Sequence, residues 1–533
     1  MAGLAGIIYR KKSNNGSADE KRRIYKSSVE KMLGNISHRG SRSRALTFMD
    51  NKDFAAVTGF ISNYDVEDNP GTGHPGSKAF NSNVMLDGKI YNTDEIYFNH
   101  KKGKASLTDE NRMLEEIVTG FDSNIIKKLD GQFAMVLNDR NKNIYLLRDF
   151  LGRKPLYFGY SDDNDTLFFA SEVKAMAMFC SDVNELAPGH FIKNNQSPVM
   201  FRELDFKKYQ EKFKNETSFR AQQEYDDTAE INNIVDRIED LLLKSIEKRI
   251  PSGPVNIKIG AWLSGGLDSS IIAALLKHFK QDIYTFAVGF KGSRDLEAAK
   301  VVSDYLQTKH KEYIFEKDEL FGRVPETIFT LESFDAPLVR STLGNIIASK
   351  MSSGADIVFS GEGGDEIFAG YNYFLEYNSQ IQIQEGLLQA IDSLHNTALQ
   401  RVDRSSNSHG VNVKLPMLDE ELIDYVLHIP PKYKLDYNTG LTKCILRNLA
   451  DRYLPQEIVW RPKDKFWEGS GINDSLENKI NGIITDSEFE KEKIIDERFT
   501  LRNKEELYYY KIFKNCYPEV EFNNFLSFTD NFN

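Results

Sequence analysis

The second half of the chain alternates helical apolar patterns with short apolar runs that are typical of buried strands. From residue 233, the segment IVDRIEDLLLKSIEKRI places apolar side chains at helical spacing. A strand-like run, VNIKIGAWL, follows, then a polar loop, a helical run, SSIIAALLKHF, and a second strand-like run, DIYTFAVGF. This order predicts a β-loop-α-β unit and therefore a parallel sheet. A further strand, ADIVF from residue 355, leads into the glycine-rich segment SGEGGDEIFAGY, and the pattern from there to about residue 515 is mostly helical.

The first half has a different pattern, because residues 1–205 are rich in strand-like segments. The runs QFAMVLND, NIYLLRD, KPLYFGY and TLFFASE follow one another between Leu129 and Glu172, separated by Asp, Asn, Gly and Arg. This spacing predicts antiparallel strands. Residues 206–232 are polar and charged, which predicts a linker or a solvated surface segment. We therefore expect an N-terminal domain (1–205), a linker (206–232) and a C-terminal domain (233–533).

Composition narrows the class of protein. A chain of 533 residues is too long for a single hydrophobic core, so it should form more than one domain. Its content of 40% hydrophobic residues is enough to build a sizeable core in each domain. The net charge of −11 argues against nonspecific binding to nucleic acid or to anionic membranes, although it allows a local basic pocket. Cys180, Cys444 and Cys516 lie too far apart in sequence to suggest a disulfide framework or a zinc site. No apolar run of about 18 residues exists, and the first residues, MAGLAGIIYRKK, reverse the order of a signal peptide, so we expect a cytoplasmic protein.

The polar loop between the first strand and its helix, AWLSGGLDSSIIAA, is the clearest chemical signal. A parallel strand would bring Leu263 to the carboxyl edge of the sheet, where Ser264, Gly265 and Gly266 can turn with their backbone N–H groups exposed. The N-terminus of the next helix adds further donors, so the loop predicts a phosphate site. Asp268 would repel a bare phosphate, which suggests a bridging Mg²⁺. A plain strand-to-helix turn with Ser and Asp as caps is the alternative, and the GxxxxGK[ST] pattern is absent.

Two motifs carry a resemblance to a known family. Residues 264–270, SGGLDSS, resemble the pyrophosphatase loop of ATP-pyrophosphatases, and residues 360–371, SGEGGDEIFAGY, resemble the SGEGxDExFxGY segment of asparagine synthetases. Other segments also fit: HRG at 38–40, LDGQFAMVLND, RDFLGRKPLYFG, FASEVKAM, LAPGHF, DR at 403–404, HGVNVKLPMLD at 409–419, WRPK at 460–463 and RNKEELYYYKIF at 502–513. Nearly the whole chain thus resembles the asparagine synthetase and β-lactam synthetase family.

The resemblance implies a combined α/β and α+β fold with two domains. The N-terminal domain would be an Ntn-type αββα sandwich, which in this family hydrolyses glutamine to ammonia. The C-terminal domain would be a parallel-sheet, ATP-pyrophosphatase-like α/β domain with a helical extension. It would adenylate a carboxylate with ATP and Mg²⁺, after which an amine attacks the acyl-adenylate.

The same resemblance implies roles for particular residues. Those expected to contact ATP are Leu263, Ser264, Gly265, Gly266, Asp268, Ser269, Val288, Phe290, Ser360 and Gly361. Asp268 and Asp365 would hold Mg²⁺. Lys463 would be the catalytic lysine. Lys443 is either a second basic group near the pyrophosphate or a solubilising surface lysine. Glu362 would contact the acid or the amine. Asp335 and Arg340 are weaker candidates for substrate contacts.

The N-terminal half departs from the family at its glutaminase site. The family's nucleophile is a cysteine at position 2, whereas this chain has Ala2, whose methyl group cannot form a thioester. The glutamine-binding NGEIYN segment reads DGKIYN, so that Asp87 replaces Asn, and Lys89 puts a cation where the substrate's ammonium would lie. An arginine expected near residue 60 is missing, and only Asp109 keeps its place. We predict a natural loss of glutaminase activity and a structural role for this half, although Ala2 alone would also fit an engineered substitution.

Without glutamine hydrolysis, the source of the amine is open. It could be free ammonia, an amine on a second substrate, or an amine on the same molecule, which would give a lactam. Residues 466–471, FWEGSG, are similar to the HEGSG stretch of β-lactam synthetases, but Glu362 matches asparagine synthetases, and Gln400 lies near the position of the glutamate in the Tyr–Glu pair of β-lactam synthetases.

Three functions therefore remain. They are an amide or lactam ligase that uses a non-glutamine amine, an ammonia-dependent asparagine synthetase, and a non-catalytic binding or partner subunit. The expected partners are small-molecule carboxylates and amines, with no nucleic acid and no membrane, and a homodimer is left open.

Overall fold

The structure is a computed structural model that describes most of the chain. The described residues are 2–11, 18–40, 42–62, 83–100, 110–211, 228–251, 257–462, 472–497, 499–522 and 524–529. Within these ranges every helix is too short or too polar to span a lipid bilayer.

The N-terminal half contains two antiparallel sheets. Its strands are β1 (Ala2–Arg10), β2 (Ser43–Asp50), β3 (Phe54–Ser62), β4 (Val84–Ile90), β5 (Gly131–Asn138), β6 (Ile144–Arg148), β7 (Tyr157–Tyr160), β8 (Thr166–Ala170), β9 (Asn184–Glu185), β10 (His190–Lys193) and β11 (Val199–Met200). Its helices are α1 (Ala18–Asn35), α2 (Thr93–His100), α3 (Glu110–Val118) and α4 (Ser123–Ile126). One sheet has the order β2-β3-β1-β8-β7-β9, and the other has the order β11-β10-β6-β5-β4. The four runs predicted as strands between residues 129 and 172 form β5, β6, β7 and β8.

The two sheets pack face to face with helices outside them. Leu4 and Ile8 of β1 meet Val136 of β5 and Leu146 of β6 in the core between the sheets, and all four side chains are buried. Helix α1 covers β1 and β3 of the first sheet. Helices α2 and α3 contribute to a second core under β4, β5 and β6. The alternation of inward-facing apolar residues therefore builds the four-layer αββα sandwich that the sequence predicted.

The C-terminal half is built on a parallel five-stranded sheet with the order β14-β13-β12-β15-β16. Its strands are β12 (Ile259–Trp262), β13 (Tyr284–Gly289), β14 (Lys309–Ile314), β15 (Ile357–Phe359) and β16 (Val413–Lys414), and a small hairpin adds β17 (Ile494–Asp496) and β18 (Phe499–Thr500). The central strands β12 and β15 are buried along their whole length, as expected for a sheet covered by helices on both faces. The predicted β-loop-α-β unit is present as β12, a helix at residues 267–276 and β13.

Many helices surround this sheet and extend beyond it. In chain order they are α5 (Phe206–Glu211), α6 (Thr228–Glu247), α7 (Leu267–Leu276), α8 (Arg294–Leu306), α9 (Lys317–Gly322), α10 (Val324–Leu331), α11 (Ala336–Ser352), α12 (Gly364–Ile367), α13 (Gln380–Asp392), α14 (Ala398–Asn407), α15 (Glu420–Leu427), α16 (Cys444–Ala450), α17 (Gln456–Val459), α18 (Ile472–Asn481), α19 (Asp486–Glu492) and α20 (Lys504–Cys516). This agrees with the helical pattern predicted beyond residue 371.

The described ends of the segment 206–232 are helical, whereas its polarity predicted a linker or a solvated surface segment. Helix α5 occupies its start, and Tyr209 in that helix is buried, with its hydroxyl donating to Asp424 at 2.8 Å. Helix α6 begins at Thr228 rather than at residue 233, because polar residues complete its first turns before the apolar face begins at Ile234. Phe206 of the same helix also packs against the core, and a composition average does not detect such single apolar positions.

Candidate active site

A cavity of about 890 Å³ opens at the carboxyl ends of β12, β13 and β15. This edge of a parallel sheet is where ligands of open α/β folds bind. Eleven of the residues predicted from the sequence line this cavity: Leu263, Ser264, Gly266, Asp268, Ser269, Val288, Ser360, Gly361, Glu362, Asp365 and Lys443. The two loops that follow β12 and β15 therefore face the same space.

The loop after β12 makes a tight turn into α7. Gly266 is the N-cap of α7, and Ser269 at the start of this helix holds the turn through hydrogen bonds to Ser264. The backbone N–H of Ser264 donates to Ser269 Oγ at 3.2 Å, and the two hydroxyls lie 3.1 Å apart. The turn thus presents hydroxyl groups and the N-terminus of α7 to the cavity.

Two predicted ATP contacts, Gly265 and Phe290, lie outside the cavity lining. Gly265 has φ +72°, and a Cβ there would lie 2.6 Å from Ala298 Cβ, so this glycine permits close packing on α8. The Phe290 ring instead packs edge-on against Phe315, with centroids 5.6 Å apart. Sequence spacing could not distinguish a residue that packs behind the loop from one that faces the ligand space.

Lys443 joins the two aspartates that were predicted to hold magnesium. Its Nζ contacts Asp268 Oδ2 and lies 2.6 Å from Asp365 Oδ1. The Lys443 side chain is only 3% exposed, so its ammonium forms both ion pairs away from bulk water. Glycine permits the approach, because a Cβ at Gly364 would lie 2.4 Å from Asp268 Oδ1.

The aspartate pair fits a divalent cation with oxygen ligands. Asp268 Oδ1 is buried and has no hydrogen-bond partner among the described residues, so one carboxylate oxygen is left to bind a ligand. Hard cations such as Mg²⁺ prefer carboxylate oxygens and usually retain waters or phosphates as additional ligands. In the described ranges no group of three or more His, Cys, Asp or Glu side chains could enclose a metal ion by itself.

Two charged residues that the sequence did not single out, Arg401 and Glu366, also line the cavity. Arg401 on α14 forms an ion pair with Glu362. Glu366 accepts a hydrogen bond from the Tyr371 hydroxyl at 2.5 Å, and burial together with the neighbouring Asp365 raises the pKa of Glu366 to about 7. Arg401 lies on α14, the helix that also carries the DR motif at 403–404. Its closeness to this motif is the sequence feature that could have identified it.

Lys463, the predicted catalytic lysine, lies outside the described residues, as do Asp109 and residues 466–471. Its neighbour Arg461 is described and lines the cavity. The Arg461 guanidinium binds Asp295 at 2.8 Å and the Gly265 carbonyl at 3.2 Å. The chain just before Lys463 is therefore attached to the SGGLDSS loop and to the start of α8.

The weaker substrate candidates have other partners and are not among the residues that line the cavity. Asp335 caps α11 by accepting from the Leu338 N–H, and it also binds Arg502. Arg340 forms an ion pair with Glu505. The Gln400 amide donates to the Leu331 carbonyl at 2.9 Å.

The position of the family's glutaminase nucleophile is enclosed by charged groups. The Ala2 N–H donates to Asp87 Oδ1 at 3.1 Å, and the Ala2 carbonyl accepts from Arg39 Nε at 3.0 Å. Asp87 and Arg39 form an ion pair at 2.8 Å, and both side chains are fully buried. The substitution Asp87 therefore provides a counterion for Arg39.

Family models match both halves of the chain. The asparagine synthase model matches residues 237–385 and 376–511, and the glutamine amidotransferase domain model matches residues 1–209. Asparagine synthetase [glutamine-hydrolyzing] 2 from Oryza sativa subsp. japonica is 30% identical over 82% of this chain and 74% of its own length. Asparagine synthetase B [glutamine-hydrolyzing] from Escherichia coli is 29% identical over 80% of this chain and 78% of its own length.

Among solved structures, the NH3-dependent NAD synthetase from Campylobacter jejuni aligns with 55% of this chain and 95% of its own, at 15% identity and a TM-score of 0.22, which is too low to support any conclusion. The two family models and the relatives agree with the sandwich, the parallel sheet and the loop motifs. The chain therefore belongs to the asparagine synthetase family, whose members are ATP-dependent ligases that form carbon–nitrogen bonds with release of AMP and pyrophosphate.

Proposed function

We propose that this chain adenylates a carboxylic acid with ATP and Mg²⁺ and transfers the acyl group to an amine that does not come from glutamine bound to the same chain. The observation that carries the first part of this proposal is the contact of Lys443 with Asp268 and Asp365 inside one cavity. It brings a cation and two potential metal ligands to the end of the SGGLDSS loop, which suits binding of a triphosphate.

In the adenylation step, an oxygen of the substrate carboxylate attacks the α-phosphorus, and pyrophosphate leaves with the bond's electron pair. Ser264, Ser269 and the N-terminus of α7 would hold the phosphates. Asp268 and Asp365 would hold Mg²⁺, which when bound neutralises charge on the triphosphate. Lys443 and Lys463 would stabilise the negative charge that develops at the phosphates and on the tetrahedral intermediate.

Glu362 would contact the acid or the amine. It lines the cavity, and its ion pair with Arg401 places a carboxylate and a guanidinium beside each other. A substrate that carries both an ammonium and a carboxylate could bind there by exchanging partners with this pair.

The proposed loss of glutaminase activity is supported by the surroundings of Ala2. The chain has no thiol at this position, and Asp87, whose carboxylate replaces the family's amide, is engaged by Arg39 and by the Ala2 N–H. A glutamine side chain would have to compete with a buried ion pair for these groups. The amine therefore has to reach the C-terminal cavity from another source.

ATP–pyrophosphate exchange tests the adenylation. It is measured with magnesium and each of a panel of amino acids and other carboxylic acids, and Lys463→Ala serves as the inactive control. We expect at least one acid to support exchange, and AMP to form when ammonium or an amine is added. If no acid supports exchange and ATP does not bind, the chain is a non-catalytic binding subunit instead.

Restoring only the cysteine nucleophile tests the second part of the proposal, namely that this chain does not hydrolyse glutamine. Ala2→Cys should release no glutamate from glutamine above background, because Asp87 and Lys89 still block the substrate's position. Glutamine-dependent turnover by the unmodified chain, or by this single variant, would contradict the proposal. The triple variant that also carries Asp87→Asn and Lys89→Glu is the matched comparison.

An ammonia-dependent asparagine synthetase is the second candidate. Relatives with 30% identity are named asparagine synthetases, and Glu362 in this chain matches their motif. Mass spectrometry of the product formed from aspartate, ATP and ammonium distinguishes this function, because only an asparagine synthetase would yield asparagine as its main product.

A further inference from the structure

His395 is a cavity residue that the adenylation step does not use. It lies between α13 and α14 and lines the same cavity as Glu362 and Lys443. Its side chain is 18% exposed, so it is partly shielded while remaining accessible.

A residue from the N-terminal half orients this imidazole. His395 Nδ1 lies 2.9 Å from Oε1 of Glu185 on β9, although 210 positions separate the two residues in sequence. Glu185 also binds Arg148 at 2.5 Å, and its side chain is 8% exposed. Burial alone would raise the pKa of Glu185, but His395 and Arg148 lower it to about 2, so the carboxylate stays ionised.

The backbone of the N-terminal half also packs against the histidine. A Cβ at Gly152 would lie only 2.8 Å from His395 Cβ, and this glycine has φ +65°. Because the Glu185 carboxylate accepts a hydrogen bond from Nδ1–H, the ring is held in the tautomer whose Nε2 carries a lone pair. No described residue forms a hydrogen bond with Nε2.

The second half-reaction requires a proton acceptor. An amine that attacks an acyl-adenylate must lose a proton as the amide forms, and the departing AMP does not need that proton because a phosphate is already a stable anion. General-base catalysis by a positioned histidine typically contributes about 10² to 10⁴ in rate.

We infer that His395 is the general base for the amine and that Glu185 is its positioning residue, so that the N-terminal half completes the active site. This inference rests on the proposed ligase function and deepens it. A neutral amine enters, its lone pair forms the C–N bond to the acyl carbon, and one N–H proton passes to His395 Nε2. The C–O bond to the phosphate breaks with its electron pair leaving on AMP, and the imidazolium then releases the proton to solvent.

The charges around the ring agree with this role. Glu185 and Arg148 face it from the N-terminal half, and Asp392 and Arg401 line the same cavity from the C-terminal half. The Glu185 carboxylate stabilises the imidazolium that forms on proton transfer, as a carboxylate does in other acid–base pairs of this kind.

The two half-reactions are measured separately, with an acid from the exchange panel and with ammonium chloride as the amine. In His395→Asn, the side-chain amide can still donate to Glu185, but the basic nitrogen is lost. We expect amide formation to fall by about 100-fold or more, and ATP–pyrophosphate exchange to stay within about threefold of the unmodified protein. Glu185→Gln keeps an acceptor for Nδ1–H but removes the charge, so a smaller loss, about tenfold, is expected in amide formation alone.

Hydroxylamine supplies a readout that a structural role would not change. It is largely neutral near pH 7, and its adduct loses a proton to water readily, so it should restore product formation in His395→Asn to within about tenfold of the unmodified protein. His428→Asn is the matched control, because His428 is likewise tied through Nδ1 to an oxygen, that of the Asp424 carbonyl, and is not among the residues lining the cavity.

The outcomes separate this inference from the proposed function. Absence of exchange in the unmodified protein with every acid would overturn the proposed function itself. Normal exchange in the unmodified protein, combined with unchanged amide formation in His395→Asn, would overturn only the role of His395. Parallel loss of both half-reactions, with no rescue by hydroxylamine, would show that His395 maintains the structure and is not the base.

Discussion

Lys443 is the single residue that most directly shapes the candidate site. Its ammonium contacts one aspartate from each of the two loops, and its backbone has φ +58°, a conformation that non-glycine residues rarely adopt. Such a backbone conformation costs about 1–3 kcal/mol, which the surrounding contacts have to offset. The sequence left Lys443 balanced between a surface role and a site role, and the structure shows it buried between two carboxylates.

Replacing Lys443 by Met should severely impair adenylation. The variant keeps most of the length of the side chain, but removes the ammonium that would stabilise the negative charge developing at the phosphates. We expect the rate of ATP–pyrophosphate exchange to fall by about 10² to 10³ at saturating magnesium. Lys309→Met is the control, because Lys309 is exposed and pairs with Asp282 at the surface. Exchange that differs by less than about threefold between the two variants would show that Lys443 has no role in the chemistry.

At the level of elements, the β12–α7 turn depends on a glycine for two separate reasons. Gly265 has φ +72°, which a side chain disfavours, and a Cβ there would also lie 2.6 Å from the Ala299 backbone nitrogen. Gly292, in the turn before α8, has φ +75°, but a Cβ at this position would meet no other atom within 4 Å. Comparing substitutions at the two glycines therefore separates the cost of the backbone conformation from the cost of a steric clash.

Gly265→Ala should destabilise the protein more than Gly292→Ala. The second variant incurs only the conformational cost, about 1–2 kcal/mol, whereas the first must also displace the start of α8 from the phosphate loop. We expect Gly265→Ala to lower the free energy of unfolding by at least about 1 kcal/mol more, and to weaken ATP binding as well. Urea titration and calorimetric ATP binding measure the two effects. Equal losses in both variants would mean that the contact with α8 is unimportant.

At the scale of the whole molecule, a buried network of charges joins the two halves. Asp403 of the C-terminal half binds Arg39 at 2.7 Å and Lys154 at 3.0 Å, both from the N-terminal half. Arg404 in turn binds Glu332, and Glu332 also contacts Lys174 of the N-terminal half. The cationic neighbours of Asp403 hold its pKa well below the ordinary value despite burial. The halves are therefore coupled by groups that tolerate burial only when all are paired.

Removing one charge from this network should be costly. Asp403→Asn keeps the shape of the side chain but leaves Arg39 and Lys154 short of an anion, so we expect the free energy of unfolding to fall by about 3–5 kcal/mol. Asp304→Asn is the control, because Asp304 pairs with Lys300 at the surface, and such pairs contribute about 1 kcal/mol or less. Urea denaturation followed by tryptophan fluorescence measures both. A loss in Asp403→Asn as small as in the control would contradict the coupling.

Glu185 should make the stability sensitive to acid. Its pKa is about 2 in the folded protein, against an ordinary 4.5, so between these pH values the unfolded chain binds more protons and the free energy of unfolding falls as the pH falls. The difference corresponds to about 3 kcal/mol at most. Glu185→Gln removes this contribution, so its stability deficit should be largest above about pH 5 and should shrink towards pH 3. A deficit that does not change with pH would contradict this assignment.

The amino-acid pattern alone predicted a strand-rich first half, a parallel sheet in the second half and a polar loop after the first strand of that sheet. Short apolar runs separated by turn residues predicted the antiparallel strands, and the β-loop-α-β order predicted the parallel sheet, because both depend on neighbours close in sequence. The segments around Ser264 and Ser360 were predicted to face one ligand site from their resemblance to family motifs, and both line the cavity. Helix α5 was missed, since it is held by a few single positions, such as buried Tyr209 and partly buried Phe206, within a polar segment.

Tertiary structure decided which charged groups act together. Lys443 lies 175 positions from Asp268, and Glu185 lies 210 positions from His395. Such pairs form only when the sheet brings its loops to one edge and the sandwich docks against it, so no local pattern encodes them. The same packing turned Gly265 and Phe290 away from the cavity and brought Arg401 to Glu362.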